Sequence, residues 1–323
     1  MPRAKGAAGA AARGGAEHGT ESGTASAHSL GNAARGAEGI GETEPSKLAP
    51  GLYLVATPIG NLADITLRAL AVLRGADAVL CEDTRVTAKL LQRYGIAAAT
   101  QAYHDHNAER VRPEILARLR AGATLALVSD AGMPLVSDPG YKLVRAALAD
   151  SVAVTVVPGP SAVLTALLGS GLPPDRFLFA GFLPPKAAAR RHELDELKGV
   201  MTTLVFFESA PRLAASLADM ADILGPRPAA VARELTKLHE EVRRGSLAEL
   251  AAHYRAAGPP KGELVMVVGP PAPAAASDAE LDRALGAALA HKSLRAAVED
   301  VAAATGARRR QVYARALALK GGR

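Results

Sequence analysis

From Leu52 onward the chain alternates short apolar runs with longer segments of helical period. Leu52–Ala56, Ala78–Cys81, Thr124–Val128 and Val152–Val157 are runs of four to six residues. They are continuous rather than alternating, as strands covered on both faces require. Helical segments are predicted between and around them, at 66–74, 84–94, 107–121 and 140–150. Repeated strand–helix alternation implies right-handed crossovers and a parallel sheet with helices on both faces. In such a sheet the ligand crevice lies at the carboxyl ends of the strands.

A breaker cluster, Gly169–Pro174, opens a second unit with strands expected at Phe177–Phe182, Thr203–Phe207, Ala229–Ala232 and Glu263–Val268 and helices near 210–223 and 246–256. Its less regular order predicts a mixed sheet. Pro270–Pro273 closes the unit and begins a linker. The last segment carries helical runs at 294–304 and 307–319, with Gly306 where a helix C-terminus favours a left-handed residue. Leu294, Val298 and Val301 share one face, and Val312, Ala316 and Leu319 another. The pair reads as a helical hairpin of helix-turn-helix type.

The expected architecture is therefore α/β with two lobes, 49–168 and 169–272, a ligand cleft between them and a basic helical hairpin over 277–323. Residues 1–48 are mostly Ala, Gly, Ser, Thr and Glu, without apolar period, and read as a disordered tail. Glu17, Glu21, Glu38, Glu42 and Glu44 balance five bases there, unlike an acid-poor organelle transit peptide.

Charge and composition narrow the chemistry. The 323 residues carry a net charge of +6. Residues 291–323 hold eight Lys or Arg (Lys292, Arg295, Arg308, Arg309, Arg310, Arg315, Lys320, Arg323) against Glu299 and Asp300, which is the whole of that charge. A neutral body with a basic end reads as a polyanion-docking element, against the plainer reading of a solvated helical face. No run approaches the roughly 18 apolar residues of a membrane span, and no secretory signal core is visible, so a cytoplasmic protein is expected. Cys81, the one cysteine, lies in an apolar run and reads as core; the eight histidines lack zinc-ligand spacing, and no metal site is expected. His104 and His106 bracket Asp105 in what reads as a solvated loop.

Each strand of the first lobe runs into an unusual loop. These are Ala56-Thr57-Pro58-Ile59-Gly60-Asn61, Glu82-Asp83-Thr84-Arg85, the stretch Ser129–Gly140, and Pro158-Gly159-Pro160-Ser161-Ala162. Gly and Pro let a ligand approach the backbone, and Ser, Thr and Asp offer hydrogen bonds to an amino acid moiety or a ribose. Neither G-x-x-x-x-G-K-[ST] nor G-x-G-x-x-G occurs, so the loops lack a phosphate grip. A ligand ending in carboxylate, amine, ribose and base fits them, and S-adenosylmethionine has that form.

The runs Leu52–Leu67 (LYLVATPIGNLADITL), Cys81–Arg85, Ser129–Gly140, Pro158–Ala162, Arg233–Lys237 (RELTK) and Lys261–Leu264 (KGEL) resemble the ribosomal RNA small subunit methyltransferase I family of the tetrapyrrole methylase superfamily. The resemblance covers about 50–270 and continues weakly through the basic end. It implies a tetrapyrrole methylase-like fold, S-adenosylmethionine as donor, 2′-O-methylation of a cytidine in the decoding region of 16S rRNA, and a homodimer. Two positions depart from the family pattern. Met133 stands where Thr is usual, and Pro211 where a His commonly precedes Arg212, which removes a hydroxyl and an imidazole.

Pro58, Ser129, Asp130, Gly132, Pro134, Ser161 and Ala162 are the expected cofactor contacts. Methyl transfer from a sulfonium is an in-line displacement in which the protein chiefly aligns donor and acceptor. A base or cation at the ribose hydroxyl would add about 10²–10⁴-fold. Candidates on the cleft rims are Glu82, Asp83, Arg85, Glu208 and Lys237, with Arg212, Arg233 and Glu234 nearby; the sequence does not choose among them. Lys186, Arg190 and Arg191, together with Arg308, Arg309 and Arg310, are the expected phosphate contacts. Aromatics total 3% with no Trp, so recognition by shape and backbone is expected rather than broad base stacking. The rival functions are a tetrapyrrole methyltransferase, which leaves the basic end unexplained, and a non-enzymatic rRNA assembly factor, which needs only the charge pattern.

Overall fold

The computed structural model describes residues 48–272 and 276–321; the expected N-terminal tail lies outside them except for Leu48. The first lobe runs β1 (Gly51–Val55), α1 (Leu67–Gly75), β2 (Ala78–Cys81), α2 (Thr84–Arg93), β3 (Thr100–Ala102), α3 (Ala108–Arg120), β4 (Thr124–Val128), α4 (Tyr141–Ala149) and β5 (Val154–Val157). Its five strands form one parallel sheet in the order β3-β2-β4-β1-β5. Alternate residues of each strand enter opposite layers. Tyr53, Val55, Val79, Cys81, Ala126 and Val128 pack under α1 and α2. Leu52, Leu54, Leu80, Leu125 and Leu127 pack under α3 and α4. This double coverage explains the unbroken apolar runs.

α5 (Ala162–Ser170) follows, then β6 (Phe177–Phe182), α6 (Ala187–Leu197), β7 (Thr203–Glu208), α7 (Leu213–Leu224), β8 (Pro228–Arg233), β9 (Glu241–Ser246), α8 (Leu247–Ala257) and β10 (Leu264–Val268). The second sheet is mixed, as expected, in the order β6-β7-β10-β8-β9 with only β6 and β7 parallel. Leu204, Phe206, Val231, Leu264, Met266 and Val268 face α7 and α8. Val205, Ala232, Val265 and Val267 face Val163, Ala166 and Leu167 of α5, and Ile59 of the first lobe joins this layer. The boundary expected after residue 168 therefore falls inside a helix that packs across the second sheet.

Within the two lobes, three elements besides α5 escaped the sequence pattern. β3 is three residues long and partly exposed. β9 is a charged edge strand, EVRRGS, that pairs with β8 through its backbone and contributes a single apolar side chain, Val242, to the layer facing α5. α6 buries only Arg190 and Leu194, so its sequence lacks an apolar stripe.

The C-terminal unit has three helices where two were expected: α9 (Asp278–Leu289), α10 (Leu294–Thr305) and α11 (Arg309–Gly321). Leu281 and Leu285 of α9 share a small core with Val298, Val301, Val312 and Ala316. Two helices alone would leave that core open on one side. Gly306 caps α10 with φ 66°, the left-handed turn expected of it. Among the described residues no helix is long and apolar enough to cross a membrane.

Candidate functional site

A cleft of about 530 Å³ lies between the two sheets. The first lobe supplies Ile59 after β1, Ala131, Gly132, Met133 and Ser137–Asp138 after β4, and Ser161–Val163 at the start of α5. The second supplies Phe182, Phe207–Pro211, Ala232, Leu235 and Gly262–Val265. The crevice is thus at the carboxyl ends of the parallel strands, where the topology places it. Met133 and Pro211, the two departures from the family pattern, both line it.

The loops hold one another before they can hold a ligand. Thr57 and Gly132 exchange backbone hydrogen bonds of 2.9 and 3.0 Å, joining the loops after β1 and β4. Thr57 Oγ1 donates to the Ser129 carbonyl at 2.9 Å. Gly132 has φ 83°, and a Cβ built there would lie 3.3 Å from Ile59 Cγ2 and 3.7 Å from the Pro160 carbonyl oxygen. A side chain at this position would therefore crowd the junction of three loops. Four of the five non-glycine residues with positive φ among the described residues sit in loops at the two lobes' cleft edges: Leu135, Ser137, Glu234 and Thr236. Such strain, about 1–3 kcal/mol each, persists where surrounding structure enforces it and clusters at ligand sites.

Of the expected cofactor contacts, Gly132, Ser161 and Ala162 line the cleft. Ser161 also caps α5, its hydroxyl accepting from the Leu164 amide at 3.4 Å. Pro58, Ser129, Asp130 and Pro134 do not line it. Pro58 and Pro134 are buried in their loops. Ser129 Oγ accepts from the Ala131 amide at 3.0 Å and donates to the Ala131 carbonyl at 2.8 Å. Asp130 accepts from the Asp83 amide at 3.2 Å, tying the loops after β2 and β4 together. These residues shape the cradle from behind.

The catalytic candidates separate in the same way. Asp83 caps α2, accepts from the Arg85 amide at 2.8 Å and pairs with the Arg85 guanidinium at 2.6 Å. The Arg85 side chain and amide hold the Asp83 carboxyl down to about 2. Arg85, with its side chain 87% exposed, points to solvent. Glu82 lies outside the cleft lining; burial, then Asp130, Asp138 and Asp105, push its carboxyl up against a small opposing effect of His104. Glu208 does line the cleft, but its side chain is fully buried and fully engaged. It accepts hydrogen bonds from Arg212 Nη2 at 3.1 Å, the Ser209 amide at 2.8 Å and the Ser216 hydroxyl at 2.5 Å, and lies 3.0 Å from Arg212 Nε within the ion pair. Glu208 is thus committed to a structural ion pair with Arg212.

Lys237 lies outside the cleft lining, held by Glu234 at 2.8 Å and Glu263 at 3.0 Å. Burial works to lower its ammonium, but the two carboxylates keep it above the usual lysine range, so it is no base at neutral pH. Its stem crosses the first lobe so closely that a Cβ built at Gly60 would meet Lys237 Cγ at 2.5 Å. Lys237 joins the lobes. The residue that sequence reasoning passed over is Asp138, which lies in the same loop as Gly132 and lines the cleft half-buried. Burial pushes its carboxyl up, the Ser129 hydroxyl opposes this, and the Asp130 charge adds to it. Cys81 is buried, with its thiol raised first by burial, and has a core role.

Two of the expected phosphate contacts are already occupied. Arg190 is buried in an ion pair with Asp219 at 2.7 Å, and Arg191 reaches Asp219 at 2.6 Å and Asp222 at 3.3 Å. They fasten α6 to α7: both arginines lie on a helix and point at its neighbour rather than at a ligand. Lys186 remains exposed just before α6. Arg308, Arg309 and Arg310 are exposed at the start of α11. Arg315, by contrast, is taken up by Asp278 and Asp282 of α9.

Sequence comparison places this arrangement among known proteins. The family model for tetrapyrrole (corrin/porphyrin) methylases matches residues 51–251, and that for the RsmI C-terminal HTH domain matches 275–320. The chain is 54% identical to ribosomal RNA small subunit methyltransferase I of Mesorhizobium japonicum, over 87% of this chain and 97% of the relative. It is also 54% identical to the protein of that name from Erythrobacter litoralis, over 84% and 96%. The Escherichia coli O157:H7 counterpart is 46% identical over 67% and 77%. Among solved structures, cobalt precorrin-4 methyltransferase superposes with a TM-score of 0.52 at 20% identity, covering 68% of this chain and 94% of that one. Diphthine synthase gives 0.53 at 16% identity, covering 68% and 89%. At those identities the structural likeness speaks for the fold. The sequence relatives speak for more: the chain belongs to the ribosomal RNA small subunit methyltransferase I family, within the tetrapyrrole methylases.

Proposed function

We propose that this chain transfers a methyl group from S-adenosylmethionine to the ribose 2′-oxygen of a cytidine in the decoding region of 16S rRNA, acting on the small ribosomal subunit in the cytoplasm. Its likeness to the named rRNA methyltransferases along 97% of a relative's length carries the reading. The cleft fits the donor. Of its charged lining residues Asp138, Glu208 and Glu263, the last two are neutralised by Arg212 and Lys237, which leaves the Asp138 carboxylate to suit a ligand bearing a sulfonium and an amine. Ile59, Ala162, Val163, Leu235 and Val265 give it apolar walls, and about 530 Å³ is in the range of small-molecule sites.

When bound, S-adenosylmethionine supplies an activated methyl group. Gly132, Ser161 and Ala162 would hold it, and the bonded loops behind them fix the donor's orientation, where alignment supplies much of the rate. Glu208 is spent on Arg212 and Glu263 on Lys237, whereas Asp138 has no ion-pair partner among the described residues. Asp138 is therefore the lining carboxylate placed to accept the ribose proton, and its raised affinity for protons favours that role. Lys186 and Arg308–Arg310 meet phosphates. The exposed Val156 of β5 and Leu164 and Leu168 of α5 supply apolar surface for a homodimer; light scattering should then give twice the chain mass, and a mass of one chain overturns it. The acceptor is tested by offering labelled S-adenosylmethionine with either 30S particles or a tetrapyrrole. Label in the particle's RNA is expected; label in the tetrapyrrole alone overturns the reading.

A further inference from the structure

The C-terminal unit carries a concavity of about 570 Å³ that is separate from the cleft and lined by Leu294, Arg295, Arg309, Arg310 and Tyr313. Arg309 and Arg310 stand four and three residues before Tyr313 on α11, so all three share one helical face. Arg295 comes to the same hollow from the first turn of α10, whose start is fixed by the Ser293 hydroxyl accepting from the Ala296 amide at 3.4 Å. The acids of this unit do not neutralise the hollow. Asp278 and Asp282 are bound by Arg315, Asp300 by Lys292 and Glu280 by Ser277; Glu299, four residues after Arg295 on α10, makes no ion pair among the described residues, and neither does any of the three lining arginines. Tyr313 is 46% exposed beside them. The small core of the unit is filled by Leu281, Leu285, Val298, Val301, Val312 and Ala316, so Tyr313 is not required to close it.

Guanidiniums without acidic partners around a half-exposed aromatic ring suit one ligand class: an unstacked nucleotide of single-stranded RNA, base against ring and flanking phosphates on the arginines. We propose that Arg295, Arg309, Arg310 and Tyr313 form a nucleotide-docking pocket that engages an unpaired residue of the rRNA away from the methylation site. It rests on the reading of an RNA substrate. It adds to that reading a stacking contact and a division of labour: the arginines supply the salt-dependent part of the affinity, and the ring a salt-independent part.

The test is fluorescence anisotropy of the full chain with a labelled, unstructured oligouridylate across a salt series. Tyr313→Ala should weaken binding about tenfold, within the range for loss of one base–aromatic stack, with the salt slope unchanged. Tyr313→Phe should bind as the parent does. Arg295→Ala and Arg309→Ala should each reduce the slope by about 0.7, the value for one contact to a single strand. Tyr313→Leu keeps an apolar side chain and separates stacking from packing: if it matches Tyr313→Phe, the stacking claim fails. Parent-like affinity in Tyr313→Ala, or tighter binding of a polyglutamate peptide than of the RNA, also overturns the pocket. Methylation of 30S particles by the parent reports on the substrate reading separately. A parent that methylates them while Tyr313→Ala binds RNA normally refutes the pocket alone; Tyr313-dependent RNA binding without methylation refutes the methyltransferase reading alone.

Discussion

Gly132 is where fold and cofactor site meet, and replacing it separates the two. Its φ of 83° is in the left-handed region, where an L-residue costs roughly 1–2 kcal/mol. The reduced freedom of the unfolded chain on Gly→Ala returns about 0.4–1 kcal/mol, so the net loss from backbone alone is of order 1 kcal/mol. That corresponds to a melting shift of about 2–4 °C for a chain of this class. Gly95 offers a matched control. Its φ is 60°, and a Cβ built there meets nothing within 4 Å. Gly95→Ala should therefore show the melting shift and nothing else. Gly132→Ala adds a Cβ 3.3 Å from Ile59 Cγ2, closer than ordinary contact, and Gly132→Val sends branched methyls further into the cradle. A loss of at least 1.4 kcal/mol of binding, about tenfold in dissociation constant, is expected for Gly132→Val. Calorimetric titration with S-adenosylmethionine measures it, alongside thermal unfolding. If Gly132→Val melts like Gly95→Ala and binds the donor as tightly as the parent, the donor does not lie against this loop, and the site assignment is wrong.

Glu208→Ala should cost about 3–5 kcal/mol in urea unfolding, because it strands Arg212 beside a buried site; parent-like stability would restore Glu208 as a candidate for chemistry. Arg190→Ala should destabilise by about 3 kcal/mol while leaving the salt dependence of 30S binding unchanged, since its guanidinium is committed to Asp219; a smaller salt slope would contradict this. Asp138→Asn has a signed pH dependence. The folded carboxyl is held above its unfolded range, so its stabilising contribution is present at low pH and lost as pH rises through the folded value. The variant should be more stable than the parent at pH 7 and equal to it near pH 3, below the ordinary aspartate range of about 3.9. It should also lower kcat about 100-fold; parent-like turnover removes Asp138 from the proton transfer.

The strands of the first sheet were legible because helices cover both faces, which leaves an uninterrupted apolar run as the only pattern possible. Edge elements were not. Thr100–Ala102 and Glu241–Ser246 pair through their backbones, and their side chains carry no apolar code. Ala162–Ser170 failed for the opposite reason: it is apolar nearly all round and sits between Pro-rich and Gly-rich stretches that read as loop. The additional helix of the C-terminal unit, α9, did leave a signal. Ser277 and Glu280 form a reciprocal capping box, a pattern visible three residues apart in the chain but masked by the Pro-rich linker before it. In the site, the sequence located the loops and not the side chains that face inward. Ser129, Asp130 and Asp83 have the polarity of ligand contacts, yet each satisfies backbone groups in a neighbouring turn, and only distances distinguish the two uses. Arg190 and Arg191 likewise look like phosphate ligands until Asp219, 29 and 28 residues away, is found beside them.

The central claim is a methyl group placed on one ribose of 16S rRNA by this cleft. The direct measurement is alkaline mapping of 16S rRNA from 30S particles incubated with S-adenosylmethionine and either the parent chain or Gly132→Val. A ribose 2′-O-methyl group blocks the cleavage that needs a free 2′-hydroxyl. The account predicts one new alkali-resistant cytidine step in the decoding region with the parent and none with the variant. Methyl label on a base with normal alkaline cleavage, or an equal resistant step with both proteins, contradicts it.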